Sequence, residues 1–156
     1  MRLAVAILVW LVVTACAPEP APTPIRGSHL ATLATTRWTV VAIGGQAIAP
    51  RPEVLLGFDA TTVAGSGGCN GFGGSYAYDP ASGALRITDL VSTKRACGDP
   101  ATGRAEAAYF EALRGAAVAS VDPDGRLVID GAGPELRLAV ADQPLPVPTQ
   151  SEAGPS

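Results

Sequence analysis

A glycine-rich stretch at residues 65–76 constrains the fold of this chain most, because six of its twelve residues are glycine. Glycine loses more conformational freedom on folding than any other residue. Such density therefore indicates positive φ angles or main chain packed closely against main chain. A flexible linker is the alternative, but linkers do not normally carry Cys69, Asn70 and an aromatic residue such as Phe72. We predict a bulged, tightly turned β element with Cys69 at its bend.

The beginning of the chain has the pattern of a signal peptide. Residues 3–13 form an apolar run that is too short to span a membrane. The run leads into Val-Thr-Ala-Cys at residues 13–16, which resembles the bacterial lipobox, in which the cysteine is lipidated and begins the mature protein. An ordinary secreted protein cleaved elsewhere is the alternative. The lipobox interpretation makes Cys16 the attachment point of a lipid anchor.

Proline-rich segments flank a central span of the chain. Between residues 17 and 36 proline recurs at every second position from 18 to 24, which predicts an extended tether that cannot build a core. The end of the chain is again rich in proline and poor in large apolar side chains, which predicts disorder. The predicted organisation is a lipoprotein signal peptide (1–15), a lipidated cysteine with its tether (16–36), one compact domain (37–141) and a disordered tail (142–156).

Alternating apolar residues within the compact domain predict strands. Turn-forming residues at 79–83 and 122–125 separate closely spaced strands, which implies antiparallel pairing. Residues 102–114 depart from this pattern and predict one amphipathic helix, with Asp99 near its start and Gly115 as its C-cap. We therefore predict an α+β domain: a mainly antiparallel, strongly curved β-sheet of seven or eight strands with one packed α-helix.

The three cysteines divide into a lipid anchor and a pair. With Cys16 lipidated, Cys69 and Cys97 remain, and in an exported protein two such cysteines most economically form a disulfide. Loop entropy predicts that this bond stabilises the fold by roughly 3 to 4 kcal/mol. A redox pair would normally be closely spaced in a C-x-x-C arrangement with low thiol pKa values, so a structural bond is favoured.

Two short patterns around these cysteines resemble the META domain family of HslJ-like envelope and heat-shock-associated proteins. They are Gly-x-x-Gly-Cys-Asn-x-x-x-Gly-x-Tyr and Ser-Thr-x-x-Ala-Cys, and a tryptophan-containing first strand accompanies them in the family. Besides the cysteines, the matching positions are Trp38, Gly65, Gly68, Asn70, Gly74, Tyr76, Ser92 and Thr93. Arg95 stands where the family usually has methionine, so this position is either more exposed here or placed differently. The resemblance implies the META fold and a role in envelope stress tolerance.

Residue types that support catalysis are scarce. The only histidine, His29, falls in the predicted tether, so neither a Ser-His-Asp triad nor a histidine metal site can be assembled in the domain. The glycine-rich stretch matches neither a P-loop nor a dinucleotide fingerprint. Asn70 could be a ligand-binding amide, but an Asn that tolerates the left-handed region and satisfies turn backbone groups is the favoured interpretation. We expect no enzyme activity, no metal and no cofactor.

Two classes of function remain. One is a non-catalytic lipoprotein module that acts by contact with an envelope protein. The other is a binder of a small apolar ligand in the concave face of the sheet. Removal of residues 1–15 leaves ten basic against fourteen acidic residues, a formal charge of −4, which disfavours nucleic acid as a partner. We expect a monomer, anchored by lipid to the cell membrane or the outer membrane and exposed to the periplasm or the exterior.

Replacement of Cys16 by alanine tests the lipid anchor. Acyl chains contribute about 0.8 kcal/mol for each buried CH₂ group, so the variant should move from the membrane fraction to the soluble fraction. Fractionation after a salt wash measures this change, and Ser28→Ala in the predicted tether is the control that should stay with the membrane. Retention of Cys16→Ala in washed membranes would contradict the lipoprotein interpretation.

Overall fold

A computed structural model describes residues 29–141, which form nine strands and one helix. Cys16, the predicted signal peptide and the predicted disordered tail lie outside these residues, so the predictions for them are not addressed by the structure. The elements are β1 (Thr36–Ile43), β2 (Gln46–Ala47), β3 (Leu55–Phe58), β4 (Thr62–Ser66), β5 (Gly71–Asp79), β6 (Ala84–Ser92), α1 (Pro100–Gly115), β7 (Ala116–Val121), β8 (Leu127–Gly131) and β9 (Leu136–Val140).

Eight of the strands close into an antiparallel barrel. Strand β1 pairs with β3 on one side and with β9 on the other, while β2 only adds a short hairpin to the end of β1. The weakest seam in the described part lies between β6 and β7, where Ala84 opposite Val118 is the one paired position. The predicted mainly antiparallel, strongly curved sheet with one helix is therefore confirmed, and its curvature is sufficient for closure.

Apolar side chains fill the inside of this barrel. Alternate residues of most barrel strands point inward, and Leu56, Phe58 and Leu138 are fully buried. Leu127 and Leu136 from β8 and β9 complete the same core. The concave face of the sheet, where the alternative function placed a small apolar ligand, is thus occupied by the protein's own side chains.

The two ends of the barrel are covered by different segments. Helix α1 packs over the end where β3 begins, and its Tyr109 hydroxyl donates to the Leu55 carbonyl at 3.1 Å. At the other end Leu33 is 1% exposed, and the Tyr78 hydroxyl donates to the Leu30 carbonyl at 2.9 Å. The packed domain therefore begins before residue 37, because two leucines that we assigned to the tether bury apolar surface.

Helix α1 starts and ends with identifiable chemistry. Asp99 is the N-cap, as the sequence predicted, and its carboxylate accepts from the amides of Ala101 and Thr102. At the other end Gly115 belongs to the helix and Ala116 is the C-cap, so the predicted glycine cap is wrong by one residue. A Cβ at Gly115 would overlap the backbone of Gly133, so the close approach of these two backbone segments requires glycine at position 115. Within residues 29–141 no helix is long and apolar enough to cross a membrane.

Glycine occurs at the positions of the 65–76 stretch for different structural reasons. A Cβ at Gly65 would overlap the Leu55 carbonyl of the neighbouring strand, and one at Gly74 would lie 2.8 Å from the Thr88 oxygen. Gly68 has a φ of +98°, a conformation that favours glycine. Gly71, by contrast, has room for a Cβ, since the nearest atom would be 3.7 Å away. Close strand packing and one left-handed position therefore account for most of this glycine density.

Candidate functional site

The glycine-rich stretch forms a tight turn between β4 and β5. The Gly67 amide donates to the Asn70 carbonyl at 2.8 Å, and the positive φ of Gly68 reverses the chain. Cys69 lies in this turn, at the end of the barrel that α1 covers. The bend thus presents the Cys-Asn pair to the helix.

A disulfide joins this turn to the segment that precedes the helix. Cys69 and Cys97 are bonded with a Cα separation of 5.7 Å, inside the range that disulfides require. The predicted bond is confirmed. It makes the turn, the residues after β6 and the start of α1 one connected unit.

The sequence interpretation missed Glu106, a buried carboxylate on α1 that faces the turn. It is 7% exposed, and its Oε2 atom accepts from the Asn70 amide at 2.6 Å and from the Cys69 amide at 3.1 Å. Its Oε1 atom accepts from Asn70 Nδ2 at 2.6 Å. The sequence contained a signal for this burial, because helical spacing places Glu106 on the same apolar face of the helix as Tyr109, Phe110 and Leu113.

Asn70 connects the helix to the loop after β6. Its Oδ1 atom accepts from the Thr93 hydroxyl at 2.8 Å and from the Arg95 amide at 2.7 Å, while Nδ2 bonds Glu106. The side chain is therefore saturated by protein partners, which supports a structural role over a ligand-binding amide. Asn70 does not use the left-handed region that asparagine tolerates, since Gly68 takes the positive φ in this turn.

These contacts define one cluster, which we call the hub: Cys69, Asn70, Thr93, Cys97 and Glu106. Beneath it, the Phe72 ring packs edge-on against the rings of Tyr109 and Phe110, with centroids 5.7 and 5.6 Å away. Burial raises the pKa of the Tyr109 phenol well above its ordinary value. Throughout residues 29–141 no buried side-chain nitrogen or oxygen lacks a hydrogen-bond partner, so the hub is internally satisfied.

The other predicted residues serve strand packing. Trp38 is buried and its indole donates to the Thr36 hydroxyl at 2.9 Å, whereas the Tyr76 hydroxyl donates to the Asp59 carbonyl at 2.7 Å. Ser92 ends β6 opposite Phe72. The basic residues at 94 and 95 are exposed. Only the backbone of Arg95 joins the hub, so a side chain unlike the family's methionine is accommodated there.

A groove of about 290 Å³ adjoins the hub. Its walls are the segment between β2 and β3, the turn at Gly67 and Gly68, and the first turns of α1. The lining is mainly apolar, with Arg51 and Asp99 as its charged residues. Hydrogen bonds from the amide and hydroxyl of Thr102 hold the pKa of Asp99 below its usual value, so this acid serves the helix cap.

Removal of the Glu106 carboxylate should destabilise the fold. Glu106→Ala leaves two backbone amides and one side-chain amide without their acceptor, and each buried unsatisfied group costs about 1 to 3 kcal/mol. We expect a loss of at least about 2 kcal/mol in the free energy of unfolding, measured by chemical denaturation of the oxidised protein. Glu111→Ala, at an exposed position of the same helix, should change it by less than about 0.5 kcal/mol. Equal stabilities of the two variants would contradict this role.

Comparison with known proteins identifies the fold and the family of this chain. No curated protein matches the chain. An NMR structure of a protein from Burkholderia xenovorans is 23% identical, with a TM-score of 0.57 over 88% of this chain and 100% of that chain. A second NMR structure is also 23% identical, with a TM-score of 0.57 over 70% of this chain and 92% of that chain. These two likenesses show the fold alone. The META domain family matches residues 31–143, and the chain belongs to this family.

Proposed function

We propose that this META domain is a non-catalytic, membrane-tethered module of the cell envelope that acts by contact with another protein and contributes to stress tolerance. The observation that carries the proposal is the groove beside the hub. It is open, mainly apolar and bounded by segments that the hub connects. Apolar depressions with a polar rim are common binding surfaces in proteins.

The walls of the groove are held in place by the hub. Gly68 lies against the other two walls, since a Cβ there would come within 3.3 Å of Pro52 and 3.7 Å of Thr102. The disulfide fixes the same turn to the segment before α1, and Glu106 fixes it to α1 itself. A binding surface whose walls are fixed in advance loses little conformational entropy when a partner docks.

The position of the groove suits a tethered protein. The groove adjoins the beginning of β3 and the turn after β4, whereas Leu30 contacts Tyr78 near the opposite end of the barrel. A tether that leads into residue 29 therefore enters at the end away from the groove. Anchored through Cys16, the domain would be attached at the end of the barrel away from the groove.

Binding of a small apolar ligand is the second candidate function. Such a ligand would also bind in the groove, because the concave face of the sheet is filled. Pockets for small molecules typically measure about 300 to 1,000 Å³, so a volume near 290 Å³ is at the lower limit of that class. The barrel interior is filled by the core. A ligand of a few apolar groups would therefore bind between Val54 and the first turn of α1.

Site-specific photo-crosslinking distinguishes these candidates. A photoreactive residue replaces Ala101, an exposed residue in the groove wall, and Ala107, an exposed residue of the same helix outside the groove, serves as the matched control. In intact cells we expect discrete protein adducts at position 101 and not at position 107.

Native mass spectrometry of the purified protein completes the experiment. Absence of protein adducts at position 101, together with a small molecule retained by the purified chain, would favour the ligand-binding candidate. Equal adducts at positions 101 and 107 would contradict a specific role for the groove.

A further inference from the structure

The hub brings together three groups of the kinds that ligate Zn²⁺. The two sulfurs of Cys69 and Cys97 and a carboxylate oxygen of Glu106 all lie within 4.8 Å of one another. Cys97 Sγ is 3.7 Å from Glu106 Oε1. The carboxylate is buried, while both cysteines are partly exposed and can be reached from solvent. In the oxidised protein the two sulfurs are bonded to each other and form a structural cross-link.

We propose that reduction of the Cys69–Cys97 disulfide converts the hub into a binding site for a thiophilic divalent cation such as Zn²⁺, held by the two thiolates and Glu106. A dithiol reductant supplies the two electrons. One of its thiolates attacks a sulfur of the disulfide and breaks the S–S bond, and its second thiol then displaces the protein thiol and closes the reductant's own disulfide. The two protein thiols lose their protons when the cation binds.

One of the three ligand separations already agrees with tetrahedral coordination. Zn–S bonds of about 2.3 Å and Zn–O bonds of about 2.0 to 2.2 Å place the sulfur and oxygen ligands about 3.5 to 3.7 Å apart. The Cys97 sulfur and the Glu106 oxygen already have this separation. Two thiolates on the same ion lie about 3.8 Å apart, so the opened sulfurs need to separate only modestly. The fourth position is left for water or an external ligand.

Neighbouring hydrogen bonds orient the proposed ligands. Both amides that donate to Glu106 bond its Oε2 atom, while Oε1 accepts from Asn70 Nδ2 and faces the Cys97 sulfur. Asn70 Nδ2 also lies 3.5 Å from Cys69 Sγ. Metal-ligating side chains usually have such second partners, which fix their orientation. The three N–H donors to Glu106 are not part of the disulfide, so they remain available to position it after reduction.

Cadmium binding to the full-length Cys16→Ala protein, which lacks the third thiol, tests this site. Cd²⁺ is the probe because its thiolate complexes absorb in the ultraviolet. The protein is reduced with a phosphine and titrated with Cd²⁺, alongside the oxidised form. We expect one ion per chain in the reduced protein and none in the oxidised protein. Glu106→Gln should weaken binding at least about tenfold, whereas Glu111→Gln on the same helix should leave it unchanged. Equal affinities of the two variants would overturn the assignment of Glu106.

Thermal unfolding of the reduced wild-type protein keeps the test decisive if reduced Glu106→Gln does not fold. Only the folded chain brings Glu106 to the two sulfurs, so Cd²⁺ should raise the thermal midpoint of the reduced protein. An unchanged or lowered midpoint would mean that the folded chain binds the ion no more tightly than the unfolded chain does. That result would overturn the proposal.

Discussion

The hydrogen-bonded carboxylate of Glu106 is the interaction on which this end of the barrel depends. A carboxylate taken out of water is costly unless it is hydrogen-bonded, and here three N–H groups from Cys69 and Asn70 surround it. Two of those donors are backbone amides of a tight turn that the strand ladder leaves free. One side chain on α1 therefore satisfies the turn and fixes the helix to it. Asn70 extends the same network to Thr93 and Arg95 on the next loop.

The disulfide reinforces this arrangement where the barrel is least continuous. Strands β6 and β7 share one paired position in the described chain, and the connection between them is the loop and helix that the hub holds. A domain of this size has a limited core, so a covalent link at that connection contributes a substantial share of a typical folding free energy. The same link stabilises the groove, whose walls come from the turn, the helix and the segment before β3. Stability and the proposed contact surface therefore have a common origin.

Sequence patterns predicted the strands, the helix and the cysteine pair because each has a local signal. Alternation identified the strands, the Asp99 cap marked the helix start, and glycine density marked the turn. Closure between β1 and β9 could not be predicted, since it depends on the summed twist of eight strands. The predicted tether (16–36) extends too far into the domain, because Leu30 and Leu33 show no periodic pattern in the sequence. In the structure these two leucines cover one end of the barrel.

Glu106 was missed for a different reason. An acidic residue in an alanine-rich helix is usually solvent-exposed, and its burial follows from the position of the turn above it. Its place on the apolar face with Tyr109 and Leu113 was the one available signal. The groove was also unpredictable, because its walls come from three segments that are distant in sequence.

Hydrogen exchange at the Asn70 amide tests the central claim most directly. This amide lies in a turn, where exchange is normally fast, yet it is buried and bonded to Glu106 Oε2 at 2.6 Å. In the oxidised protein we expect its protection to approach that of core amides such as Leu56, and to be lost in Glu106→Ala while the core amides stay protected. Exchange at the rate of an exposed loop amide in the parent protein would contradict the account.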